Sequence, residues 1–188
     1  AETGQAVRHD QEALEAFEEL QRRHPDYRAE IVYFELALLH GRLGDYPSSI
    51  VAYEHSIEHS IQANDALSTT HSNLAETRMQ TGDLLGAVRD YERAVEIARN
   101  TPDARPITLG LAQFGLAVAL DRLGERRSAV EWAGRAIQAA GDSLDHLEAD
   151  SVFFEPVAEI HWYKALGHQA MAESRTGHER VEALEAAL

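Results

Sequence analysis

Hydrophobic residues recur at the helical spacing along nearly the whole chain. Between Ala13 and Leu20, for example, apolar residues lie three and four positions apart, which places them on one face of a helix. Apolar and polar residues do not alternate over strand-length runs, and no Asn-Gly or Asp-Gly turn occurs, so we expect no β-sheet. The pattern predicts about nine helices, at residues 6–22, 28–43, 46–62, 66–81, 84–99, 106–123, 126–140, 153–176 and 178–188.

Three segments of the sequence share one spacing of residue types. In each, a Leu-Ala pair is followed by a glycine seven residues after the alanine, at Gly44, Gly82 and Gly124. Small residues then follow at fixed distances, and they allow two helices to cross closely. Glycine supplies the left-handed backbone that ends the first helix, and Asp45 and Asp83 are suited to cap the second. The spacing therefore predicts three pairs of antiparallel helices joined by tight turns.

This repeated pattern resembles the tetratricopeptide repeat, a helix–turn–helix unit with small residues where its helices cross. The resemblance implies an all-α fold, a right-handed superhelical array of antiparallel helix pairs that forms a single domain. Successive turn glycines lie farther apart than the usual repeat length of roughly 34 residues, so the repeats look like the long-repeat subclass found in kinesin light chains. Within residues 1–188 the expected divisions are a partial repeat at 1–27, repeats at about 28–63, 66–104 and 106–140, an insertion at 141–156 and a degenerate repeat at 157–188.

Both ends of the sequence fall inside the repeating pattern. The first segment repeats the spacing of a second helix without most of the first helix that should precede it. The last copy has Gln169 and Glu182 where the pattern expects a leucine and a small residue. Because repeat arrays normally end in polar capping repeats, we expect the chain to be a fragment of a longer array.

The negative charge of the chain makes some classes of binding partner unfavourable. Its 188 residues include 17 Lys+Arg and 32 Asp+Glu, which gives a formal net charge of −15. Such an acidic chain disfavours nucleic acid, whose phosphates require a cationic face, and it disfavours anionic membrane surfaces. Membrane insertion is not expected, since no apolar run is long enough to span a bilayer. No signal segment follows Ala1, and the compartment stays open, with a slight preference for the cytoplasm.

No constellation of residues points to catalysis. The tetrapeptide at 141–144 spells Gly-Asp-Ser-Leu, the nucleophile block of a serine esterase family, but it follows a predicted helix and no Asp-x-x-His comes after it. His55 and His59 share a helix face and His71 lies on the next helix, yet no carboxylate completes a metal site. The chain has no cysteine, no phosphate-binding glycine loop and no His-Glu-x-x-His. We therefore expect no enzyme activity, no cofactor and no metal.

The resemblance also implies a binding surface, because the first helix of each tetratricopeptide pair lines a concave groove. Carried over residue by residue, the groove positions are Ile31, Phe34, Glu35, Leu38 and Arg42, then Thr69, Ser72, Asn73, Glu76, Met79 and Gln80, then Leu111, Phe114, Val118, Asp121 and Arg122. Chaperone-binding members of the family hold a peptide carboxylate with a Lys/Asn clamp. No lysine lies in this set, since Lys164 is the only one in the chain, so chaperone tails are disfavoured.

Large apolar groove residues beside carboxylates predict a non-catalytic interaction scaffold. The expected partner is another polypeptide that offers an apolar or amphipathic basic segment to the concave groove. A different interpretation of Phe34, Leu38, Phe114 and Val118 is that long helices or an adjoining repeat shield them. Two further functions stay open: self-association as a homodimer through the repeat ends, and a peptide-sensing domain of a regulator.

Overall fold

The structure is a computed structural model that describes residues 2–61, 64–102 and 104–125, and after these the helical positions 128, 129, 131, 132, 134, 135 and 138. Several predicted features lie outside the described residues. They are the helices at 153–176 and 178–188, most of the helix at 126–140, the insertion at 141–156 with its Gly-Asp-Ser-Leu, and the degenerate repeat at 157–188.

The described part of the chain is all-helical, as predicted. Its helices are α1 (Glu2–Arg23), α2 (Ala29–Arg42), α3 (Tyr46–His59), α4 (Asp65–Thr81), α5 (Leu84–Asn100) and α6 (Pro106–Arg122). The first six predicted helices are thereby confirmed with ends that differ by a few residues. The largest C-terminal difference is in α3, which ends at His59 because Ser60 has an extended backbone. No helix in these ranges is long and apolar enough to cross a bilayer.

The turns within the helix pairs form as their residues predict. Gly44, Gly82 and Gly124 have φ angles of 82°, 84° and 85°, a conformation in which a side chain is strained. The carboxylate of Asp45 accepts the Ser48 N–H at 3.3 Å and starts α3. Hydrogen bonding by the Ser48 side chain, and after it this backbone bond, lowers the pKa of Asp45. The first two turns thus each end one helix and cap the next within about three residues, through Asp45 and Asp83.

Serine hydroxyls join α3 to α2. Ser49 Oγ donates to the carbonyl oxygen of Ala37 at 2.8 Å, and Ser56 Oγ donates to that of Glu30 at 2.6 Å. Both serines are almost fully buried, so their hydroxyls need these partners. The small side chains also let the two helices approach closely, which is the role that the repeat spacing predicts.

Alanines fill the crossing between α4 and α5. Ala75, Ala87 and Ala94 are 0% exposed. Here the serine is on the first helix of the pair, and Ser68 Oγ donates to the carbonyl oxygen of Ala94 at 2.9 Å. The second pair therefore uses the same kind of bond as the first, in the opposite direction.

Close packing continues from α5 to α6 through a glycine. A Cβ atom placed on Gly115 would lie 2.1 Å from Cε1 of Tyr91, far inside contact distance. The missing side chain lets the tyrosine ring rest against the α6 backbone. Each described helix packs on its neighbours in the chain, and α4 also contacts α6, so the first helices of these two successive pairs meet directly.

Candidate functional site

The groove residues predicted on α2 lie at the surface of a core cluster. Phe34 and Leu38 are half-buried and pack against the cluster that contains Leu36 and Tyr53. Ile31, one turn before Phe34, is 38% exposed. The shielding that we considered for Phe34 and Leu38 is thus partly realised, by residues of the same helix pair and its neighbours.

Tyr53 of α3 forms the floor of this surface. Its ring is 3% exposed and meets the Phe34 ring edge-on, with 5.8 Å between the centroids. Its hydroxyl forms a hydrogen bond with Asn73 of α4. The pKa of Tyr53 is raised to about 12, chiefly by burial and to a lesser extent by the carboxylates of Glu76 and Glu35, against the opposing effects of Asn73 and Arg42. Four positions predicted from the resemblance therefore surround one buried tyrosine.

Arg42, the last of the α2 positions, is engaged by the preceding helix. Its guanidinium donates to both carboxylate oxygens of Asp10, at 2.8 and 3.1 Å. Such a two-point ion pair fixes the position of the guanidinium and joins α1 to α2. Since the charge of Arg42 is balanced by Asp10, the carboxylates of Glu35 and Glu76 give this surface its negative sign.

Apart from Asn73, which contacts Tyr53, the predicted positions on α4 divide into three kinds. Thr69 and Ser72 donate their hydroxyls to carbonyl oxygens one turn earlier in their own helix. Met79 packs against the core cluster shared by α4, α5 and α6, so it belongs partly to the core. Glu76 and Gln80 are exposed. On this helix the exposed side chains that a partner could contact directly are therefore acidic or neutral.

The predicted positions on α6 show a similar gradient from core to solvent. Leu111, Phe114 and Val118 are half-buried, whereas Asp121 and Arg122 in the last turn are exposed. The apolar surface of α2 thus has a counterpart on α6. The exposed Asp121 and Arg122 carry opposite charges, so the end of α6 adds no net charge to the groove.

A cavity of about 550 Å³ opens where α2, α4 and α6 begin. It is bounded by Glu30, Ile31, Phe34, Ser56, Ser60, Ile61, Asn64, Ala66, Leu67, Thr69, Thr70 and Arg105. Only three of these residues belong to the predicted groove. The others were missed because several lie in the connections between helices, where no periodic pattern marks them. Ile61 in particular was expected inside a helix ending at 62, but α3 ends before it and leaves it in the connection.

Asp65 positions the arginine at the rim of this cavity. One carboxylate oxygen of Asp65 accepts the backbone N–H of Arg105 at 3.4 Å and its Nε–H at 2.9 Å. The same oxygen accepts the hydroxyl of Thr108 at 3.1 Å. The first residue of α4 therefore holds the start of α6, and with it the base of the Arg105 side chain.

A second charged cluster lies among α3, α4 and α5. Arg78 donates to Glu54 at 2.6 Å and to Asp90, and it lies 3.8 Å from the carboxylate of Asp83. His71 Nδ1 lies 3.4 Å from the other carboxylate oxygen of Asp90. The arginine and Asp90 side chains are only 17% and 12% exposed. The buried charges of Arg78 and Asp90 are therefore both paired, which is what a structural ion-pair network requires.

The histidines considered as metal ligands have other neighbours. The rings of His55 and His59 lie 5.0 and 5.3 Å from the ring of Tyr33. His55 is paired with Glu58 at 3.0 Å, and His59 contacts a backbone carbonyl of its own helix. Within the described ranges, no group of three His, Cys, Asp or Glu side chains could hold a metal ion.

Comparison with known proteins gives a family and a fold. Residues 66–142 match the family model described as tetratricopeptide repeat. A crystal structure of MamA aligns with a TM-score of 0.64 at 12% identity over 93% of this chain and 84% of that one. A second, titled MamA protein, gives 0.66 at 13% identity over 100% and 85%. BtubC (BKLC) from P. vanneervenii gives 0.56 at 14% identity over 97% and 86%.

No curated protein sequence matches the chain. At identities this low the solved structures establish the fold alone, and the fold agrees with the all-α array of helix pairs seen here. The family match covers α4, α5 and α6, the helices that carry two of the three turn glycines. On the repeat spacing and the family match, residues 66–142 are tetratricopeptide repeats, and the described helices before them continue the same array of helix pairs.

Proposed function

We propose that the chain is a non-catalytic scaffold that binds a segment of another polypeptide along the groove formed by α2, α4 and α6. Tetratricopeptide repeat proteins bind other polypeptides, and the family match supports this class of function. The observation that carries the proposal is the surface over Tyr53, where the half-buried Phe34 adjoins the carboxylates of Glu35 and Glu76.

The chemistry of this surface favours an amphipathic basic segment. Apolar contacts supply most of the affinity, because a well-buried anchor contributes about 1.5–3 kcal/mol. The carboxylates lie near solvent, so they contribute chiefly to the orientation of the ligand and its rate of approach. A net charge of −15 attracts the same basic ligand from a distance.

The role of the carboxylates can be tested with Glu76→Lys. The probe is a labelled peptide of about 15 residues with lysines beside one apolar stripe, long enough for an amphipathic helix. We expect this variant to bind the peptide several-fold more weakly at low salt, with a smaller difference at high salt because screening shortens the range of the interaction. Fluorescence anisotropy at two salt concentrations gives both affinities.

Glu92→Lys is the matched control, since Glu92 is an exposed carboxylate on α5, away from the groove helices. It changes the net charge by the same amount and should leave the affinity within about twofold. Equal weakening by both substitutions would mean that overall charge attracts the peptide, and the groove would then not be its site.

The two other predicted functions lead to different observations. Self-association as a homodimer through the repeat ends predicts a mass that rises with protein concentration in sedimentation experiments. A peptide-sensing domain of a regulator predicts that a bound peptide changes the activity of a further domain. Both stay predictions beside the scaffold that we propose.

A further inference from the structure

We infer that the cavity at the beginning of α2, α4 and α6 is an anchor pocket for one apolar side chain of the ligand. A carboxylate and a guanidinium at the cavity contact the charged residues that flank this side chain. This inference rests on the proposed function, and it predicts the direction in which the bound segment crosses the groove. Its ligand is a peptide in which a bulky apolar residue has a basic residue on one side and an acidic residue on the other.

The apolar part of the wall is exposed to solvent. Ile61 is 95% exposed and Ile31 is 38% exposed, and Phe34 and Leu67 lie beside them around the same cavity. Exposed apolar residues gathered around a concavity are typical of interaction sites. A side chain that enters the cavity would remove apolar surface of all four residues from water, which is favourable in proportion to the area covered.

The size of the cavity suits a side chain with part of its backbone. Its volume of about 550 Å³ falls within the range of roughly 300–1,000 Å³ that is usual for pockets with small ligands. Its polar wall includes hydroxyl groups of Ser60 and Thr69, and Thr69 already donates to a backbone carbonyl. The interior therefore offers few unsatisfied donors that would favour a polar side chain over an apolar one.

Charges of opposite sign stand at the cavity. Glu30 belongs to α2, whereas Arg105 directly precedes α6. Asp65 holds the backbone and Nε of Arg105, while 70% of the arginine side chain remains exposed. A charged group that is held in place before binding loses less conformational freedom when the ligand arrives. Asp65 contacts this guanidinium through Nε, so its two terminal nitrogens are the groups that meet a carboxylate of the ligand, with Glu30 meeting its basic residue.

The consequence is a direction for the peptide across the groove. Its basic end lies toward α2 and the carboxylate of Glu30. Its acidic residue lies toward α6 and Arg105. A uniformly basic peptide would place a cation beside the guanidinium, and this repulsion would lower its affinity relative to a peptide with mixed charge.

A set of peptides and two protein variants test the pocket. The peptides, of about 15 residues, carry a central leucine with lysine on one side and glutamate on the other, in both orders and at several spacings. We expect the best member to lose about tenfold in affinity when its leucine becomes serine, and Ile61→Ser in the protein to lose several-fold. Because Ile61 is almost fully exposed in a connection, this substitution should leave thermal unfolding unchanged.

Charge reversal tests the arginine separately. Arg105→Glu should weaken the mixed-charge peptide about tenfold, and replacing the peptide's glutamate by lysine should restore binding to this variant. Arg89→Glu is the matched control, because Arg89 is an exposed arginine on α5 outside the cavity, and it should leave affinity unchanged. Restored binding would not follow if Arg105→Glu acted only by disturbing the contact with Asp65.

The outcomes separate the pocket from the groove. If Glu76→Lys weakens binding while Ile61→Ser and Arg105→Glu do not, the groove stands and the anchor pocket is wrong. If the Arg105→Glu loss is not recovered by the charge-swapped peptide, the assigned role of the guanidinium is wrong. If no peptide of the set binds the wild-type chain more tightly than its scrambled sequence, the proposed function and the pocket are both wrong.

Discussion

At the scale of single residues, Gly115 shows how a missing side chain can be a packing requirement. Glycine inside a helix is unfavourable by about 1 kcal/mol relative to alanine, so a glycine in mid-helix signals a packing or functional reason. Here the reason is the ring of Tyr91, which occupies the volume that a Cβ would need. The position is set by a contact between two helices, which the local sequence of α6 does not contain.

Replacing this glycine tests the contact. Gly115→Ala should lower the free energy of unfolding by about 1–3 kcal/mol, because overpacking outweighs the gain in helix propensity. Urea denaturation followed by circular dichroism measures the change. Gly41→Ala is the control, since a Cβ there would meet only Ser49 Oγ at an ordinary 3.4 Å. It should be neutral or stabilising by at most about 1 kcal/mol, and equal destabilisation by both substitutions would contradict the packing argument.

At the scale of helices, the ends are set by residues that the sequence reveals. Gly82 ends α4 with a left-handed backbone, and the carboxylate of the next residue, Asp83, accepts the Gly86 N–H at 2.9 Å to start α5. A Cβ on Gly86 would lie 2.0 Å from that carboxylate, so the glycine makes room for the cap. These signals are local, and this is why the helices to residue 122 and their turns could be predicted from the sequence.

Removing the cap should destabilise α5 without changing its packing. Asp83→Ala should lower the free energy of unfolding by about 1 kcal/mol, whereas Asp83→Ser keeps a capping oxygen and should stay within about 0.5 kcal/mol of the wild type. Thermal or urea denaturation of the two variants separates capping from charge. If the serine variant were as unstable as the alanine variant, the ion pair with Arg78 would matter more than the cap.

Features that combine several helices were harder to predict. The sequence shows Arg78 on an otherwise apolar helix face, a position where a charged residue normally needs a partner. It does not show that the partners Glu54 and Asp90 come from the helices on either side. The repeat register predicts which helices line the groove. It does not predict that Ile61 and Arg105 border the same cavity. Their approach depends on how three helix pairs stack.

At the scale of the whole molecule, the Arg78 cluster connects successive helix pairs. Its members belong to α3, α4 and α5, so it crosses the boundary between the first pair and the second. In repeat proteins stability is approximately the sum of terms within repeats and between neighbouring repeats. The cluster belongs to the second kind, and its loss should weaken the coupling of the two pairs as well as their stability.

We therefore expect Arg78→Met to lower the free energy of unfolding by about 3 kcal/mol, because Asp90 is left as a buried charge without its main partner. Adding Asp90→Asn to this variant should recover part of the loss, since it removes the uncompensated charge. A double-mutant cycle from urea denaturation measures the coupling. Additive effects of the two substitutions would show that the arginine and the aspartate act independently.

The serine bonds between α2 and α3 limit how the array can move. Ser49 and Ser56 reach carbonyl groups of α2 that lie about two turns apart, as the serines themselves do. Sliding one helix along the other would break both bonds at once and leave two buried hydroxyl groups without a partner. The α2–α3 pair therefore moves as one rigid unit whose register is fixed by these bonds. A partner that narrows the groove must therefore tilt whole helix pairs against each other, because the helices within such a pair cannot slide.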